Sequence, residues 1–242
     1  MGIFGKKKKE NKDNETTKIF LNDKLITEDS AKSSREEQPD MSGWDAIIAE
    51  FERIYPDQKE PKHYGRLIPW RLGGPNPLDG VSIYDGGDFW HFVTFGLSEL
   101  YDKESEDKEW SGYGMEFTFK LKKDCYDKEN EEAEFNCIIS NLDNIAKLTF
   151  EKGELFLTDE YVYTGQTEGI DRFQKSKLTG FITMNDPAVK TLDTPNGKVE
   201  FVEFIGVADS ELKAIIDKKI RVKELQEKLG TDVTDYKRSS VI

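Results

Sequence analysis

Two histidines and three aspartates that could bind a metal or transfer protons lie within one short stretch of the sequence. His63, His91, Asp79, Asp85 and Asp88 all fall between residues 62 and 101. Imidazole and carboxylate groups together can hold a divalent cation or act as general acid and base. Their spacing does not specify such a site, and a histidine flanked by aromatic residues is more often a hydrogen-bonded core or edge residue. An enzyme or metal site that uses His63, His91 and Asp85 or Asp88 is kept as an alternative.

Other residue patterns that support catalysis or nucleotide binding do not occur in the sequence. The glycine-rich stretch LGGPNPLDG (72–80) matches neither the dinucleotide-binding nor the phosphate-binding loop pattern. The chain has no G-x-S-x-G motif, and Cys125 and Cys137 match neither a zinc pattern nor an activated-thiol motif. We therefore expect two reduced thiols, no cofactor and no enzymatic activity.

Aromatic and acidic residues downstream of this stretch favour a protein-binding surface. Tyr101, Trp110 and Tyr113 lie beside the charged, loop-like segment DKESEDKEWSG (102–112). Residues 99–134 contain 13 acidic and six basic residues, and tyrosine and tryptophan carry much of the binding energy at protein interfaces. Exposed aromatic side chains beside an acidic loop suit a basic partner.

The net charge of −13 is distributed unevenly along the chain. Residues 1–40 hold nine basic and nine acidic residues, whereas residues 41–242 hold 26 basic and 39 acidic residues. This negative charge would repel phosphate groups, so we do not expect nucleic acid as a partner. A basic protein is the expected partner. The alternative is that the charge serves solubility alone. No apolar run approaches the roughly 20 residues of a membrane helix, and the start MGIFGKKKKE lacks the features of a signal peptide or a myristoylation site. We expect a cytoplasmic protein without membrane contact.

Apolar residues at helical spacing predict three helices. The first lies in MSGWDAIIAEFERIYP (41–56) with Ser42 as its cap, and the second lies in residues 129–150. The third is one amphipathic helix over DSELKAIIDKKIRVKELQEKLG (209–230), capped by Asp209 or Ser210 and ended by Gly230.

Strands are predicted between these helices. They lie in WHFVTFGLS (90–98), YGMEFTFKLK (113–122), GELFLTDEYVY (153–163), LTGFITMND (178–186) and the hairpin TPNGKVEFVEFIGV (194–207). Alternation in the second of these places Met115, Phe117, Phe119 and Leu121 on one face. It places Glu116, Thr118, Lys120 and Lys122 on an opposite face that we expect to meet water.

This arrangement predicts an α/β or α+β fold, in which helices pack on a mixed β-sheet. We expect one folded domain over residues 41–230. A disordered, charged tail is expected over residues 1–40, and a polar tail over residues 231–242.

Four blocks of the sequence resemble the suppressor of fused domain. They are YGRLIPWRLGGPNPLDGVSIY, FWHFVTFGLSELY and GYGMEFTFKLK, in that order and spacing, followed by TPNGKVEFVEFIGVADSEL. The resemblance covers about residues 41–230 and implies a single suppressor-of-fused-like α/β domain that binds proteins and is no enzyme. Animal members sequester zinc-finger transcription factors with the help of a second domain. The resemblance ends near Gly230, close to the last residue Ile242, so we expect that second half to be absent and the transcription-factor role not to carry over.

Single-domain relatives of this family are bacterial, and many are thought to be immunity proteins that neutralise toxins by direct binding. The resemblance therefore implies a bacterial antitoxin whose partner is a basic toxin domain, such as a nuclease. A regulatory protein-binding module without a toxin is the second hypothesis. The resemblance places Tyr101, Glu109, Trp110 and Tyr113 at the partner-binding surface. The residues that match its glycine-rich motif are interpreted as scaffold: Trp70, Gly73, Gly74, Pro75, Pro77 and Asp79.

Overall fold

The computed structural model describes residues 40–68, 70–163 and 165–242. The predicted N-terminal tail, apart from Asp40, lies outside the described residues. No helix within these ranges is both long enough and apolar enough to span a bilayer.

The described chain forms a mixed sheet of eight strands with four α-helices. The helices are α1 (Ser42–Ile54), α2 (Glu131–Lys152), α3 (Asp209–Ile216) and α4 (Val222–Leu229). The strands are β1 (Lys62–Gly65), β2 (Gly80–Asp85), β3 (Phe89–Phe95), β4 (Trp110–Lys122), β5 (Tyr161–Val162), β6 (Leu178–Asn185), β7 (Leu192–Thr194) and β8 (Gly197–Ala208). Their order is β1-β2-β3-β4-β8-β6-β5, with β7 beside β8. The β4–β8 pair is parallel and the other pairs are antiparallel. The predicted fold class is confirmed.

Helices cover both faces of the sheet. On one face, α2 packs its apolar side on alternate residues of β4 and β8, including Phe117, Phe119 and Phe204. On the other face, α1 packs over β2 and β3 through Ile47 and Phe51. The α3–α4 pair packs beside it on β6 and β8. Strand β4 therefore lies in the middle of a three-layered domain.

The prediction that one side of β4 meets water is wrong. Glu116 and Thr118 are fully buried and Lys120 is 2% exposed, while Lys122 at the strand end is half-buried. The predicted alternation is confirmed, because Met115 and Phe117 face the opposite side. Helices on both faces bury the polar side as well, so that side holds charged residues inside the domain.

The single helix predicted over residues 209–230 is also wrong. The helix is interrupted between α3 and α4, where Lys218 adopts a left-handed conformation with φ 58°. The N–H groups of Lys218 and Lys219 bond to the carbonyls of Ile215 and Ala214, which ends α3 and turns Ile220 into the core. Neither Asp209 nor Ser210 caps α3, since the Glu211 carboxylate accepts the Ala208 N–H instead.

Two other helix ends can be compared with the sequence prediction. Gly230 ends α4 in the predicted left-handed conformation, with φ 64°. The side chain of Ser42 does not cap α1, because Asp40 Oδ1 accepts the Ser42 N–H at 2.8 Å and takes that role.

Residues 231–242, expected as a polar tail, pack in part against the sheet. Thr234 forms a bridge with Leu121, and its hydroxyl accepts the Gly206 N–H at 2.9 Å. Tyr236 is buried, and Arg238 forms a bidentate pair with Glu211. These polar residues find partners inside the domain, which composition alone does not reveal.

Candidate functional site: an aromatic groove at the start of β4

A wide bulge interrupts the pairing of β4 with β8. Trp110 lies opposite Lys198, but the next pair joins Met115 to Glu200, so β4 advances five residues while β8 advances two. The three extra residues loop out of the ladder, which is how a bulge re-aims side chains at the edge of a site.

Glycines make this bulge possible. Gly112 and Gly114 have φ values of 56° and 72°, a region that other residues adopt only at a cost. A Cβ atom on Gly114 would lie 2.7 Å from Cε3 of Trp110, and one on Gly112 would lie 2.9 Å from the Leu97 carbonyl oxygen. Tyr113, between the two glycines, is pushed outward and is 36% exposed.

The bulge forms one wall of a groove of about 250 Å³. Met115, Phe156 and Val202 are its buried apolar floor, whereas Leu155 and Leu157 on the facing segment are more than half exposed. The groove is also lined by Trp110, Tyr113, Asp107 and Glu200. Apolar side chains left in water beside two carboxylates are the features expected of a surface that binds another molecule.

Aromatic contacts extend from the groove toward the glycine-rich stretch. The Tyr113 ring meets Phe150 edge-on at 5.1 Å, and Phe150 in turn meets Trp70 at 6.0 Å. Leu67 and Leu72, on either side of Trp70, are strongly exposed.

The loop before β4 is organised around Glu116, which lies on the strand itself. Its Oε1 accepts the N–H groups of Gly96, Leu97 and Ser98 at 2.9–3.1 Å and the Ser98 hydroxyl at 2.7 Å. Its Oε2 accepts the Thr94 hydroxyl at 2.6 Å. Complete burial raises the pKa of Glu116 to about 7 against the opposing effect of these hydrogen bonds.

Glu99 has a similar role in the next part of the loop. Its carboxylate accepts the N–H groups of Glu104, Ser105 and Gly112 and pairs with Lys103 at 2.8 Å. Although burial opposes ionisation, the Lys103 pair and these hydrogen bonds lower the pKa of Glu99. Glu99 and Glu116 therefore act as internal hydrogen-bond acceptors that shape the loop, although the sequence count includes both among the acids available to a partner.

The structure brings two of the four predicted partner-binding residues together in the groove. Trp110 and Tyr113 both line it, and Glu109 flanks it with its carboxylate 3.3 Å from Lys198 Nζ. Tyr101 is half-buried and packs with the α1 cluster, on the sheet face opposite Met115. Leu155 and Leu157 were missed, since their segment was read as strand and their exposure depends on how it passes the bulge.

The residues interpreted as scaffold lie in one connection between β1 and β2. Trp70 begins a single turn of 3₁₀-helix, Gly73 has the expected positive φ of 85°, and Gly74 and Pro77 are buried. The Asp79 N–H donates to the Phe95 carbonyl at 2.8 Å, whereas Pro75 is exposed.

His63, Asp85 and His91, which were considered for a metal or enzyme site, are held in three separate places. His63 Nδ1 bonds to Ser82 Oγ at 2.9 Å, and Asp85 pairs with Lys123. Fully buried His91 bonds to Tyr55 Oη through Nδ1 and to Asp186 Oδ2 through Nε2, both at 2.8 Å. Burial lowers the pKa of His91, so both contacts fit a neutral ring that donates to Asp186.

His91 borders a buried charged cluster that the sequence did not reveal. Lys120 Nζ lies 2.9 Å from Asp186, 3.0 Å from Glu203 and 2.7 Å from Asp232. These three carboxylates are close enough to hold a metal ion, but the Lys120 ammonium group lies within bonding distance of all three. Burial raises the pKa of Glu203 well above its usual range, while His91 and Lys120 lower that of Asp186 against the effect of its burial.

A family model described as Suppressor of fused protein (SUFU) matches residues 74–239. The chain belongs to the suppressor of fused family. It is 30% identical over 184 residues to the suppressor of fused homologs of Homo sapiens and Mus musculus. The match covers 70% of this chain and 36% of each relative, so the chain spans about a third of the length of these relatives.

Solved structures of suppressor of fused proteins share the fold. A chain in the Sufu–Fu complex crystal structure matches with a TM-score of 0.70 and 27% identity, over 84% of this chain and 93% of that one. Drosophila Suppressor of Fused matches with a TM-score of 0.69 and 27% identity, over 84% of this chain and 52% of that one. A suppressor of fused homolog from Neisseria gonorrhoeae, at 14% identity, matches with a TM-score of 0.53 over 84% of this chain and 98% of that one.

Proposed function

We propose that this protein binds another protein through the groove at the start of β4, and that it is an immunity protein whose partner is a basic toxin domain. The observation that carries the binding site is the bulge, because two left-handed glycines display Tyr113 beside the exposed Leu155 and Leu157. In a groove of this kind, aromatic and aliphatic anchors on the partner would displace water from the apolar floor.

Charge supports a basic partner. Asp107 and Glu200 lie in the groove and Glu109 lies beside it, within a protein of net charge −13. Opposite fields accelerate encounter and disfavour acidic competitors. A nuclease toxin carries a basic nucleic-acid groove, so an acidic surface that covered it would block the enzyme sterically.

The second candidate is a regulatory protein-binding module without a toxin. It is favoured by the family and by the crystal structure in which a similar chain occurs in a Sufu–Fu complex. Under either candidate, the described residues bind and do not catalyse. The enzyme alternative loses its main support, because His63, His91 and Asp85 do not converge on one site.

The site is tested with a double variant, Tyr113→Ala with Leu157→Ala, in a tagged protein used to capture partners from its native cells. We expect the partner to be lost or weakened at least about tenfold, as for other interface anchors. The matched control is Ile216→Ala, which removes an exposed apolar side chain from α3 and should leave capture unchanged. Equal capture by the double variant and the control would show that the groove is not the site.

The immunity role is tested separately, by expressing the captured partner in cells with and without this protein. A basic partner that kills cells alone, and is harmless when co-expressed, supports the proposal. A partner that is never toxic would favour the regulatory module, while the groove would still stand.

A further inference from the structure

A second cavity, of about 420 Å³, lies at the other end of β4 from the groove. We call it the α2 pocket. It is enclosed by residues 125–134, residues 171–177 and residues 236–239. The eight residues of β4 from Met115 to Lys122 separate it from the groove by roughly 20 Å. It is therefore a distinct site, with the volume of a small-molecule pocket.

The walls of the α2 pocket are fixed by hydrogen bonds. Asp171 accepts the N–H groups of Lys175 and Ser176 at 3.0 and 2.7 Å, which closes the loop of residues 171–176 into a turn. The C-terminal wall is anchored by the pair between Arg238 and Glu211. The cavity is thus part of the folded domain and does not depend on a loose surface loop.

The interior of the α2 pocket is acidic. Glu134, in the first turn of α2, is 1% exposed, and its Oε2 accepts the Arg172 N–H at 3.0 Å. Among the described residues, none donates a hydrogen bond to its other oxygen. The Tyr236 hydroxyl, which also lines the cavity, is buried without a hydrogen-bond partner among the described residues, so a ligand or water that bonded to it and to the Glu134 carboxylate would restore lost solvation.

The mouth of the α2 pocket is basic, which is unusual in a protein of this charge. Lys175, Lys177 and Lys237 line it and are exposed. Within the described part of the chain, no carboxylate pairs with Lys175 or Lys177, and Lys237 Nζ donates to the backbone carbonyl of Asp124. Three ammonium groups therefore surround the entrance to a cavity with a carboxylate inside.

We propose that the α2 pocket binds a small zwitterion of amino-acid or dipeptide size. The ammonium group of the ligand bonds to Glu134, and its carboxylate lies between Lys175 and Lys177. A simple anion would meet the Glu134 and Asp171 carboxylates, and a simple cation would have to pass three lysines. Only a ligand with both charges, in the matching order, is attracted by both ends of the pocket.

The proposal is tested by titrating the full chain with a homologous series of zwitterions. Glycine, β-alanine, γ-aminobutyrate and ε-aminocaproate carry the same two charges at increasing separation, and calorimetry gives their affinities. We expect one length to bind best, with hexylamine and hexanoate, which carry one charge each, at least about tenfold weaker. Equal binding of single-charge analogues, or no saturable heat up to about 10 mM, would overturn the proposal.

Two variants assign the ends of the ligand. Glu134→Gln should lower the affinity of the best zwitterion to that of hexanoate, and Lys175→Ala with Lys177→Ala should lower it to that of hexylamine. Tyr113→Ala, in the distant groove, serves as the folded control and should bind normally. If the Glu134 and lysine variants fold and bind like the control, the ligand is held elsewhere and the proposal fails.

The pH dependence of binding gives an independent readout. Burial and the neighbouring Asp171 raise the pKa of Glu134. An ammonium ligand favours the ionised carboxylate, so affinity should rise with pH as Glu134 loses its proton, and Glu134→Gln should abolish this dependence. A pH-independent affinity in the parent protein would contradict the contact with Glu134.

Discussion

The indole ring of Trp110 lies so close to Gly114 that a Cβ atom there would approach Cε3 to 2.7 Å. This contact links the backbone of the β4 bulge to the wall of the groove. It predicts that Gly114→Ala both strains the backbone at φ 72° and displaces Trp110. We expect a loss of about 1–2 kcal/mol from conformation, and about 1–3 kcal/mol more from overpacking, in urea unfolding.

The chain offers a matched control for Gly114→Ala. Gly153, at the end of α2, has φ 73°, but an added Cβ atom would meet nothing within 4 Å. Gly153→Ala should therefore cost only the conformational part, about 1 kcal/mol, and should leave the near-ultraviolet circular dichroism unchanged. Equal losses in the two variants would show that the Trp110 contact has no energetic role.

A second prediction concerns the buried cluster around Lys120. Lys120→Met would leave the buried carboxyl groups of Asp186 and Glu203 without their cation. Removal of one partner of a buried ion pair is expected to cost about 3–5 kcal/mol in the free energy of unfolding. Lys122→Met, two residues along the same strand, removes a half-exposed lysine and should cost less than about 1 kcal/mol. A small loss for Lys120→Met would mean that water or a counter-ion replaces the ammonium group.

The pH dependence of stability should reflect His91. Burial lowers its pKa below the ordinary 6.5, and Asp186, Lys120, Asp232 and the Tyr55 hydroxyl surround it. As the pH falls, the imidazole of His91 is therefore protonated in the unfolded chain before it is protonated in the folded one. The contribution of neutral His91 to the free energy of unfolding is full above pH 6.5 and declines as the pH falls below it.

The comparison that isolates this effect uses His91→Gln. Unfolding free energies of the parent and the variant are measured at about pH 7.5 and about pH 5.5. The contributions of the other titrating groups are the same in both proteins, so they cancel in the difference between them. We expect the advantage of the parent protein to shrink by about 1 kcal/mol between these conditions. A constant difference would show that His91 accepts a proton as readily folded as unfolded.

Periodicity was sufficient to predict α1, α2 and β4, whose apolar residues follow one repeat each. It did not predict β1 and β2, which lie at either end of the glycine- and proline-rich stretch. The break between α3 and α4 was not predictable in this way, because the amphipathic pattern continues through it. The turn depends on Lys218 in a left-handed conformation, which is atypical for lysine.

The site was predicted less completely, for a physical reason. Aromatic residues beside an acidic loop predicted Trp110 and Tyr113 as contacts of a partner, and both residues line the candidate groove. The same composition misassigned Glu99 and Glu116. The sequence cannot distinguish a carboxylate that accepts hydrogen bonds from the backbone of a nearby loop from one that lies in water. Lys120 was misassigned for a related reason. Polar residues that alternate along a strand predict an exposed face only when no further layer covers the sheet, and a layer of helices covers Lys120.

Glu116→Gln tests whether an internal anion shapes the loop that leads to the groove. At a pH above the Glu116 pKa of about 7 the parent side chain is ionised, whereas the amide keeps its size but lacks the charge that strengthens the bonds from Gly96, Leu97 and Ser98. We expect the amide hydrogens of these three residues to exchange at least about tenfold faster, equivalent to about 1.4 kcal/mol of local stability.

Glu109→Gln is the control for Glu116→Gln, because it changes the net charge equally on an exposed carboxylate near the same loop. Its exchange should match that of the parent protein at Gly96, Leu97 and Ser98. The loop contacts the groove through the Tyr113 N–H, which donates to the Leu97 carbonyl at 2.9 Å. Faster exchange in Glu116→Gln alone, together with weaker capture of the partner, would mean that the loop geometry set by Glu116 affects the groove through this hydrogen bond. Faster exchange with unchanged capture would separate the loop from the binding surface and restrict that surface to the bulge itself.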